Sequence, residues 1–342
     1  MIEGLPPGFP ESHLAPYCGG RDFHLVPADG GANNRAYRVM VGERPRLLLK
    51  HYFARPGDNR PRLSSEFAFL EYAWSAGIRT IPQPLAAFPE HHVALYEHLS
   101  GRHLRAGEIT RDHVLGAMTF FQQLNAPSRR PQGWNLPVAS EACFSVGDHL
   151  RMAEGRLERV LSIPVNDDVS QQARQWVESA LQPRGRGILA AINRQLDSAP
   201  GTREAFLPES LRCVSPSDFG FHNALCDPEN GVRFIDFEYA GWDDPAKTIC
   251  DFFCQPAVPV PSSLWQECQE LMRAVVDDDN FFDRSSCLLP LYRIKWCCIM
   301  LNEFTEMGQK RRLFSRRGPI TEDMLQARLK AAESYFHEHL SH

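Results

Sequence analysis

The pattern of predicted secondary structure changes near residue 100, and this change constrains the fold more than any other feature. Before it, short β-prone runs alternate with turns, and one segment, 63–77, has apolar residues at helical spacing. Later segments are mainly long and helical, with a short β insert at 211–236. The β-prone runs are 23–27, 36–41, 46–53 and 91–101, and the helical segments are 110–125, 144–161, 166–182, 187–197, 262–276, 286–306 and 321–339. We predict an α+β fold with a small β-rich lobe at 1–100, a larger, mainly helical lobe at 101–342, and a cleft between them.

Within the β insert, two short apolar runs are joined by a strong turn sequence. The runs are ALCD at 224–227 and VRFID at 232–236, and the PENG between them is typical of a hairpin turn. A turn centred between residues 229 and 230 would place Asn223 opposite Asp236, with Cβ atoms roughly 5 Å apart. One amide and one carboxylate are too few for a calcium cage, but they suit Mg²⁺, which takes further ligands from water and phosphates. The hairpin therefore predicts a magnesium site.

Asp218 lies five residues before Asn223, in the irregular segment that leads into the hairpin. A loop aspartate beside a metal–phosphate site is well placed to accept a proton from an attacking hydroxyl, so we predict that it is the catalytic base. The competing interpretation is a plain β-turn in which Asp and Asn side chains cap backbone groups. The spacing of Asp218, Asn223 and Asp236 around one hairpin disfavours that interpretation.

The pattern Asp-x4-Asn, then a hairpin, then Ile-Asp-Phe-Glu resembles the aminoglycoside phosphotransferase and choline kinase superfamily. The resemblance implies a protein-kinase-like bilobal fold, with a small β-rich N-lobe and a larger helical C-lobe. It also makes the letters Asp-Phe-Gly at 218–220 a coincidence, because a protein kinase binds magnesium through that aspartate, whereas here Asp236 takes that role. The cofactors implied are ATP and Mg²⁺.

The resemblance further implies that the first lobe binds the nucleotide. The segment GGANNRAYRV at 30–39 matches the family's phosphate-covering loop, whose backbone N–H groups approach phosphate oxygens. Lys50 matches the phosphate-contacting lysine, and Glu66 matches the carboxylate that holds that lysine. ALYEHLSG at 94–101 matches the hinge that binds adenine. The implied nucleotide-binding residues are Gly30, Gly31, Asn34, Lys50, Glu66, Glu97 and Leu99.

Two positions depart from the family pattern. The family usually has His-Gly directly before its catalytic aspartate, whereas this chain has Pro216 and Ser217. The family commonly has an aspartate twelve residues after the metal-binding one, where it anchors the catalytic loop. Here that position is Thr248, and Asp251 follows one helical turn later. Either Asp251 takes over the anchoring or the helix starts differently.

We therefore predict a kinase that moves the γ-phosphoryl group of ATP to a hydroxyl of a small molecule, such as an amino alcohol, a sugar or an aminoglycoside-like compound. The alternative is a nucleotide-binding pseudokinase that acts as a scaffold, which Pro216 and Thr248 motivate. A protein-directed kinase is disfavoured because YAGWDDP at 239–245 runs straight towards a helix and leaves no room for a long activation segment.

The helical segment LYRIKWCCIMLNEF at 291–304 is the most suggestive part of an acceptor site. Tyr292, Trp296 and Glu303 share one helical face, and two aromatic rings with a carboxylate could receive a cation. A core helix that packs its tryptophan is the stronger interpretation of such a stripe. Asp243, just past the metal-binding segment, is a further candidate for acceptor binding, although the same segment could simply cap a helix.

The overall composition limits other functional classes. A formal net charge of -5 gives no general attraction to nucleic acid or to an anionic membrane. The basic run at 310–317 could bind a phosphate-bearing substrate or a charged partner, but a solvated linker between two helices is the stronger interpretation. No window approaches the roughly 20 apolar residues that span a bilayer, and the N-terminus lacks the pattern of a secretory signal. The ten cysteines contain no C-x-x-C pair, which predicts reduced, buried thiols and a cytoplasmic location.

Overall fold

The structure is a computed structural model of the chain, and it describes residues 4–28, 34–53, 61–197, 203–315 and 318–341. Gly30 and Gly31 of the predicted phosphate-covering loop lie outside the described residues. A β-rich N-lobe is followed by a mainly helical C-lobe, so the predicted α+β bilobal fold is confirmed.

The N-lobe is built on a five-stranded antiparallel sheet with strand order β1-β2-β3-β5-β4. The strands are β1 (Phe23–Pro27), β2 (Arg35–Val41), β3 (Arg44–His51), β4 (Pro84–Phe88) and β5 (Val93–Glu97), and helix α1 (Arg62–Ser75) connects β3 to β4. Leu47 and Leu49 of β3 are buried on one face of this sheet, beside Val39 of β2. Because side chains alternate along a strand, Lys50 points to the opposite face.

The C-lobe is organised around one central helix. Its helices are α2 (Arg111–Leu124), α3 (Val146–Leu161), α4 (Asp168–Trp176), α5 (Gln182–Asp197), α6 (Pro245–Cys254), α7 (Trp265–Arg273), α8 (Phe281–Met300), α9 (Glu306–Phe314) and α10 (Glu322–Leu340), and a π-helical turn (Val177–Leu181) joins α4 to α5. The central helix, α8, packs against α3, α6 and α10, and it buries Leu288, Leu291 and Ile294 completely. Across the described ranges, no helix combines the length and the apolar character needed to cross a membrane.

The segment after α8 differs from the prediction. The helix expected at 286–306 begins earlier and ends at Met300, and the basic run expected to be a linker contributes to helix α9. The side chain of Thr305 caps α9 by accepting a hydrogen bond from the Gly308 N–H at 3.1 Å. At the end of α9, Phe314 accepts a hydrogen bond from Arg35 Nε of the N-lobe at 2.7 Å through its carbonyl oxygen. Helix α9 therefore connects the two lobes.

The C-lobe also contains short strands, in two small sheets. They are β6 (Arg102–His103), β7 (Cys213–Ser215), β8 (Ala224–Asp227), β9 (Gly231–Phe234) and β10 (Gly241–Asp243). Strand β8 lies between β6 and β9, and β7 pairs with β10. The segment between β7 and β8 carries the predicted catalytic residue Asp218.

The predicted hairpin forms between β8 and β9, but in a register that differs by one residue. Asp227 pairs with Gly231, so the turn is centred on Glu229 and not between residues 229 and 230. Asp227 favours this register because its Oδ1 accepts hydrogen bonds from the backbone N–H groups of Glu229 and Asn230, at 2.9 and 3.0 Å. Gly231 completes the turn with a φ of 70°, which glycine adopts at little steric cost.

Candidate active site

The side chains of Lys50, Glu66 and Asp236 meet where the N-lobe and the C-lobe join. Lys50 Nζ lies 2.6 Å from Glu66 Oε2 and 2.6 Å from Asp236 Oδ1. Burial by itself would lower the pKa of Lys50, but the carboxylates of Asp236 and Glu66 raise it well above its ordinary value. Lys50 therefore places a permanent positive charge at the junction of the lobes.

Two tyrosines that the sequence reasoning missed help to hold Glu66 in place. The Tyr52 hydroxyl donates to Glu66 Oε2 at 2.6 Å and lies 2.6 Å from the Tyr96 hydroxyl. Glu66 Oε1 accepts a hydrogen bond from the backbone N–H of Phe237 at 3.2 Å. Tyr52 follows Lys50 by two residues in an extended chain, and this spacing places both side chains on one face. That spacing is the sequence signal that would have found it.

Asp236 is the most exposed member of this group. Its side chain is 28% exposed, compared with 9% for Lys50. Strand β9 ends at Phe234, and Asp236 has a φ of 68°, a left-handed conformation that aspartate tolerates better than most residues. Among the described residues, Lys50 alone donates to Asp236, through Oδ1, so Oδ2 is left for another ligand.

Asn223 connects the loop of Asp218 to the segment that contains Asp236. Its carbonyl oxygen accepts a hydrogen bond from the Ile235 N–H at 2.9 Å, so Asn223 faces Ile235. The prediction that Asn223 lies directly opposite Asp236 is wrong because the turn is centred on Glu229 and not between residues 229 and 230. Asn223 Nδ2 donates to the carbonyl oxygen of Asp218 at 3.0 Å, which leaves the Asn223 amide oxygen without a donor from the described residues.

Asp218 is partly exposed, and hydrogen bonds stabilise its charge. Its side chain is 35% exposed, and His222 Nε2 lies 3.2 Å from Oδ1. Asn223 Nδ2 lies 3.3 Å from Oδ2. Burial would raise the pKa of Asp218, but His222, Lys295 and Asn223 together hold it below its ordinary value. The carboxylate is therefore ionised and able to accept a hydrogen bond from a hydroxyl group.

The two departures from the family pattern are accommodated by hydroxyl groups. The Thr248 hydroxyl donates to Ser215 Oγ at 2.8 Å, and Ser215 Oγ accepts a hydrogen bond from the Ser217 N–H at 3.0 Å. Ser217, directly before Asp218, has a left-handed φ of 65°. Thr248 itself thus anchors the loop, by a hydroxyl relay.

Asp251, the other candidate anchor, has a different set of partners. Its carboxylate lies 2.7 Å from Lys295 Nζ and 3.3 Å from Lys247 Nζ. It also accepts a hydrogen bond from Trp296 Nε1 at 3.0 Å. All of these groups are buried, so Asp251 ties α6 to α8 and does not contact the loop of Asp218.

Asn34 is buried and connects the two lobes. Its Nδ2 donates to Glu238 Oε2 at 2.6 Å, and its Oδ1 accepts a hydrogen bond from the Phe53 N–H at 3.1 Å. Arg62 Nε lies 3.6 Å from the same carboxylate of Glu238. The Asn34 side chain therefore joins the two lobes, and the predicted part of Asn34 in the phosphate-covering loop, which acts through backbone N–H groups, stays a prediction.

The two hinge residues differ in what their backbones offer to a ligand. The Glu97 N–H donates to the Gln83 carbonyl oxygen at 2.9 Å and is not available. The N–H and C=O groups of Leu99 make no hydrogen bond with any residue in the described ranges, although Leu99 is buried. Backbone groups of buried residues are rarely left unpaired. Leu99 is therefore the stronger candidate for contact with a flat heterocycle.

Two of the predicted acceptor-binding residues lie in the core. Tyr292 is fully buried, and its hydroxyl lies 2.7 Å from His149 Nδ1. Asp243 is also fully buried, with Lys247 Nζ 2.8 Å from its Oδ2. Neither side chain has a surface that an acceptor could touch, so their assignment to the acceptor site is wrong. The core-helix interpretation of the aromatic stripe holds for Tyr292.

The other two predicted acceptor-binding residues lie in separate places. Glu303 is held by Arg312 Nη1 at 2.9 Å and by Arg328 Nε at 2.8 Å. Trp296 lies beside the loop of Asp218, with its ring 6.3 Å from the ring of His222 at an interplanar angle of 82°. Of the predicted set, Trp296 is the residue nearest to the candidate catalytic loop.

Behind this loop lies a buried charge network that the sequence reasoning did not find. His149 Nε2 lies 3.2 Å from Asp244 Oδ2, and Arg284 pairs with Asp244 at 2.9 Å and with Asp278 at 2.6 Å. Burial would lower the pKa of His149, but Cys143 and Asp244 raise it to about 10. Two cations therefore face two carboxylates, and their charges balance.

The donor types of Asn223 and Asp236, one amide oxygen and one carboxylate oxygen, suit a magnesium ion that takes further ligands from phosphate. Within the described residues there is no group of three or more His, Cys, Asp or Glu side chains that could hold a metal ion. Asn223 and Asp236 each keep one side-chain oxygen that no described residue occupies. Two protein oxygens are sufficient for Mg²⁺, which keeps several waters and takes the rest from phosphates.

Comparison with known protein families decides the assignment of the chain. A family model described as the phosphotransferase enzyme family matches residues 24–253. The chain belongs to this family. The matched range contains Lys50, Glu66, Asp218 and Asp236. Membership confirms that this phosphotransferase is an enzyme of the kinase class.

Solved structures confirm the kinase-like fold. A choline/ethanolamine kinase family protein from Mesorhizobium loti is 18% identical with a TM-score of 0.53, and the match covers 94% of this chain and 97% of that one. A spectinomycin phosphotransferase is 12% identical with a TM-score of 0.56, and the match covers 95% of this chain and 99% of that one. A choline kinase from Streptococcus pneumoniae is 12% identical with a TM-score of 0.55, and the match covers 96% of this chain and 97% of that one. At these identities the likeness establishes the fold alone. The search of curated proteins found no match.

Proposed function

We propose that this phosphotransferase moves the γ-phosphoryl group of ATP to a hydroxyl group of a small molecule. The observation that carries the proposal is the contact of Lys50 Nζ with Glu66 and Asp236, each at 2.6 Å, between the two lobes. The loop that holds Asp218 and Asn223 adjoins this contact through the Ile235–Asn223 hydrogen bond. The solved spectinomycin phosphotransferase contains ADP and spectinomycin, which supports an adenine nucleotide for its relative.

In this proposal the N-lobe binds and orients the nucleotide. The adenine would lie against the backbone of Leu99, whose donor and acceptor have no partner among the described residues. Lys50 would contact the phosphate chain. Because Glu66 and Asp236 already hold the Lys50 ammonium, less conformational freedom is lost when the phosphates bind.

Asn223 and Asp236 would hold Mg²⁺ through their unoccupied oxygen atoms. When bound, the metal would supply positive charge that offsets the negative charge of the phosphates in a loose transition state. Asp236 is suited to this position because its other oxygen is fixed by Lys50 at 2.6 Å. Asn223 is suited because its Nδ2 is fixed by the backbone of Asp218 at 3.0 Å.

Asp218 would position the acceptor hydroxyl and take its proton as the bond to phosphorus forms. Its exposed carboxylate and its lowered pKa keep it ionised and ready to accept a hydrogen bond. In a loose transition state the attacking oxygen loses its proton late, so orientation contributes more than base strength. Asp218 does not need a pKa near neutrality for this role.

The charges beside the catalytic loop favour a neutral polyhydroxyl acceptor, such as a sugar, over an aminoglycoside-like polycation. The acidic side chains there already have resident cations as partners. Asp243–Lys247 and Asp251–Lys295 are buried pairs that an acceptor cannot reach, and the partly exposed Glu141 is paired with Arg156. Apart from Asp218 itself, a polycation would therefore meet little uncompensated negative charge. An amino alcohol with a single amine is the second choice, because its ammonium group could contact the face of the Trp296 ring, which lies next to His222.

A phosphorylation screen with Mg²⁺ and ATP tests the proposal. Sugars, amino alcohols and aminoglycosides would be compared by product formation, with sugars expected to give the highest kcat/KM. Asp218→Ala should abolish transfer and leave ATP binding nearly intact, whereas Asp236→Ala should remove magnesium-dependent ATP binding. Asp112→Ala, at an exposed position of α2, is the control and should behave as wild type.

The outcomes separate the proposal from its rival. Full turnover in both Asp218→Ala and Asp236→Ala would show that the residue roles are wrong. Tight ATP binding without transfer to any compound, together with a stable protein complex, would favour the scaffold function. Preferred transfer to aminoglycosides would overturn the acceptor argument and leave the phosphotransferase mechanism standing.

A further inference from the structure

We infer that His222 is a positioning residue that holds the Asp218 carboxylate in the orientation needed for phosphoryl transfer, an inference that rests on the proposed function of Asp218. His222 follows Asp218 by four residues, and its Nε2 lies 3.2 Å from Asp218 Oδ1. An ionised carboxylate only accepts hydrogen bonds, so Nε2 must carry the donated proton. The loop thus contains its own orienting group for the candidate base.

The second ring nitrogen supports the same tautomer. His222 Nδ1 is buried and has no hydrogen-bond partner within the described part of the chain. A proton on Nδ1 would add a buried donor without an acceptor, which is costly. A proton on Nε2 instead has the Asp218 carboxylate as its acceptor. Trp296 packs against this ring edge-on, with centroids 6.3 Å apart, and limits its movement towards α8.

Gly220 provides the space that the ring needs. A Cβ atom at Gly220 would lie 2.7 Å from His222 Nδ1 and 3.0 Å from Cε1, too close for a normal contact. The φ of Gly220 is 168°, an extended conformation that any residue adopts, so the backbone does not require glycine here. The position of the His222 ring is what favours a residue without a Cβ atom here. The glycine in the letters Asp-Phe-Gly therefore has a physical role specific to this loop.

The orientation of Asp218 depends on few contacts. Besides His222, one other donor of the described residues lies near this carboxylate: Asn223 Nδ2 is 3.3 Å from Oδ2, which is long for a hydrogen bond. Each carboxylate oxygen has two acceptor positions, so one remains on each oxygen for the substrate hydroxyl. Without His222 the partly exposed side chain would be free to rotate, and a misplacement of about 1 Å can cost about 100-fold in rate.

Steady-state kinetics test the inference with matched substitutions. His222→Leu removes the donor and should lower kcat about 10- to 100-fold, while KM for ATP changes less than about 3-fold. His222→Gln retains an N–H donor and should recover most of the loss. Gly220→Ala should reproduce the His222→Leu defect by displacing the ring. Gly116→Ala is the control, because a Cβ there meets nothing within 4 Å.

A double variant shows whether His222 acts through Asp218. If a sensitive assay detects a trace of transfer in Asp218→Ala, adding His222→Leu should slow that trace no further, because the group that it orients is gone; if it detects none, the spectroscopic measurement below decides. An additive loss, or full kcat in His222→Leu or Gly220→Ala, would overturn the positioning role.

A spectroscopic measurement keeps this test independent of the acceptor. In protein labelled with ¹⁵N-histidine, His222 should be protonated on Nε2, and its ring signals should shift in Asp218→Ala. If no small molecule accepts a phosphoryl group, the proposed function fails while this measurement still decides the contact. Protonation on Nδ1, or signals unchanged by Asp218→Ala, would overturn the inference.

Discussion

Replacing Glu66 by glutamine should destabilise the enzyme by leaving the buried charge of Lys50 undercompensated. The side chains of Lys50 and Glu66 are 9% and 4% exposed, so water cannot replace the lost carboxylate. Removal of one partner of a buried ion pair costs about 3–5 kcal/mol. Asp236 remains 2.6 Å from Lys50 Nζ and retains part of the compensation. We therefore expect a loss at the lower end, about 3 kcal/mol in the free energy of unfolding.

Glutamine is chosen because it isolates the charge. It keeps the volume of Glu66 and an oxygen that accepts from the Tyr52 hydroxyl, so packing changes little. Urea unfolding followed by tryptophan fluorescence measures the loss at neutral pH. Glu108→Gln is the matched control, because Glu108 forms an ion pair with Arg102 on the surface, where solvent screens both charges, and it should change stability much less.

The result that would refute this reasoning is an equal loss of stability in Glu66→Gln and Glu108→Gln. It would mean that Asp236 alone compensates the charge of Lys50, or that Lys50 reaches water. Binding of ATP to Glu66→Gln distinguishes these cases. If Asp236 alone compensates Lys50, the affinity for ATP should be close to that of wild type. If Lys50 reaches water, the affinity for ATP should fall because Lys50 has lost its fixed position.

Three further predictions concern contacts around the site. Thr248→Val removes the hydroxyl that anchors the catalytic loop. Thermal unfolding should show a loss of about 1 kcal/mol in stability, and steady-state kinetics should show a decrease of about tenfold in kcat. An unchanged kcat would exclude the anchoring role. Since the pKa of His149 is about 10 in the folded enzyme, its contribution to stability is complete below about pH 6.5 and is lost as pH rises through 10. Urea unfolding at pH 6 and pH 9 should therefore show a larger decrease for wild type than for His149→Gln, and equal decreases would contradict a charged His149. Phe314→Ala removes the ring that packs on Phe53 of the N-lobe, so α9 should be cleaved faster in limited proteolysis. Leu313→Ala, at a position that is 56% exposed, is the control and should not change the cleavage rate. Equal cleavage of the two variants would refute the connection between α9 and the N-lobe.

The hairpin shows what local sequence could and could not predict. Alternating apolar runs around PENG predicted β8 and β9 correctly, because turn and strand preferences act over a few residues. The register depended on Asp227, whose side chain accepts two backbone hydrogen bonds inside the turn. The residue types of the turn do not distinguish a turn centred on Glu229 from one centred between residues 229 and 230. A one-residue error in register was sufficient to misplace Asn223.

Contacts between distant segments were the least predictable. Asn34 and Glu238 are separated by 204 residues, and no periodic pattern connects them. The buried network around His149 likewise joins α3 to α6 and α8, so each member looks like an isolated polar residue in its own helix. Lys50 and Glu66 were predicted because the family resemblance supplied the long-range pairing.

The segment 235–238 explains how one short stretch can complete the site from both lobes. Regular strand alternation would send residues 236 and 238 to one face and 237 to the other. The left-handed backbone at Asp236, with a φ of 68°, interrupts that alternation directly after β9. Consecutive residues can then reach three different partners of the N-lobe. The contacts are Asp236 with Lys50, Phe237 with Glu66, and Glu238 with Asn34. Because these contacts converge on one irregular turn, we expect the position of the candidate metal ligand Asp236 to depend on the placement of the N-lobe.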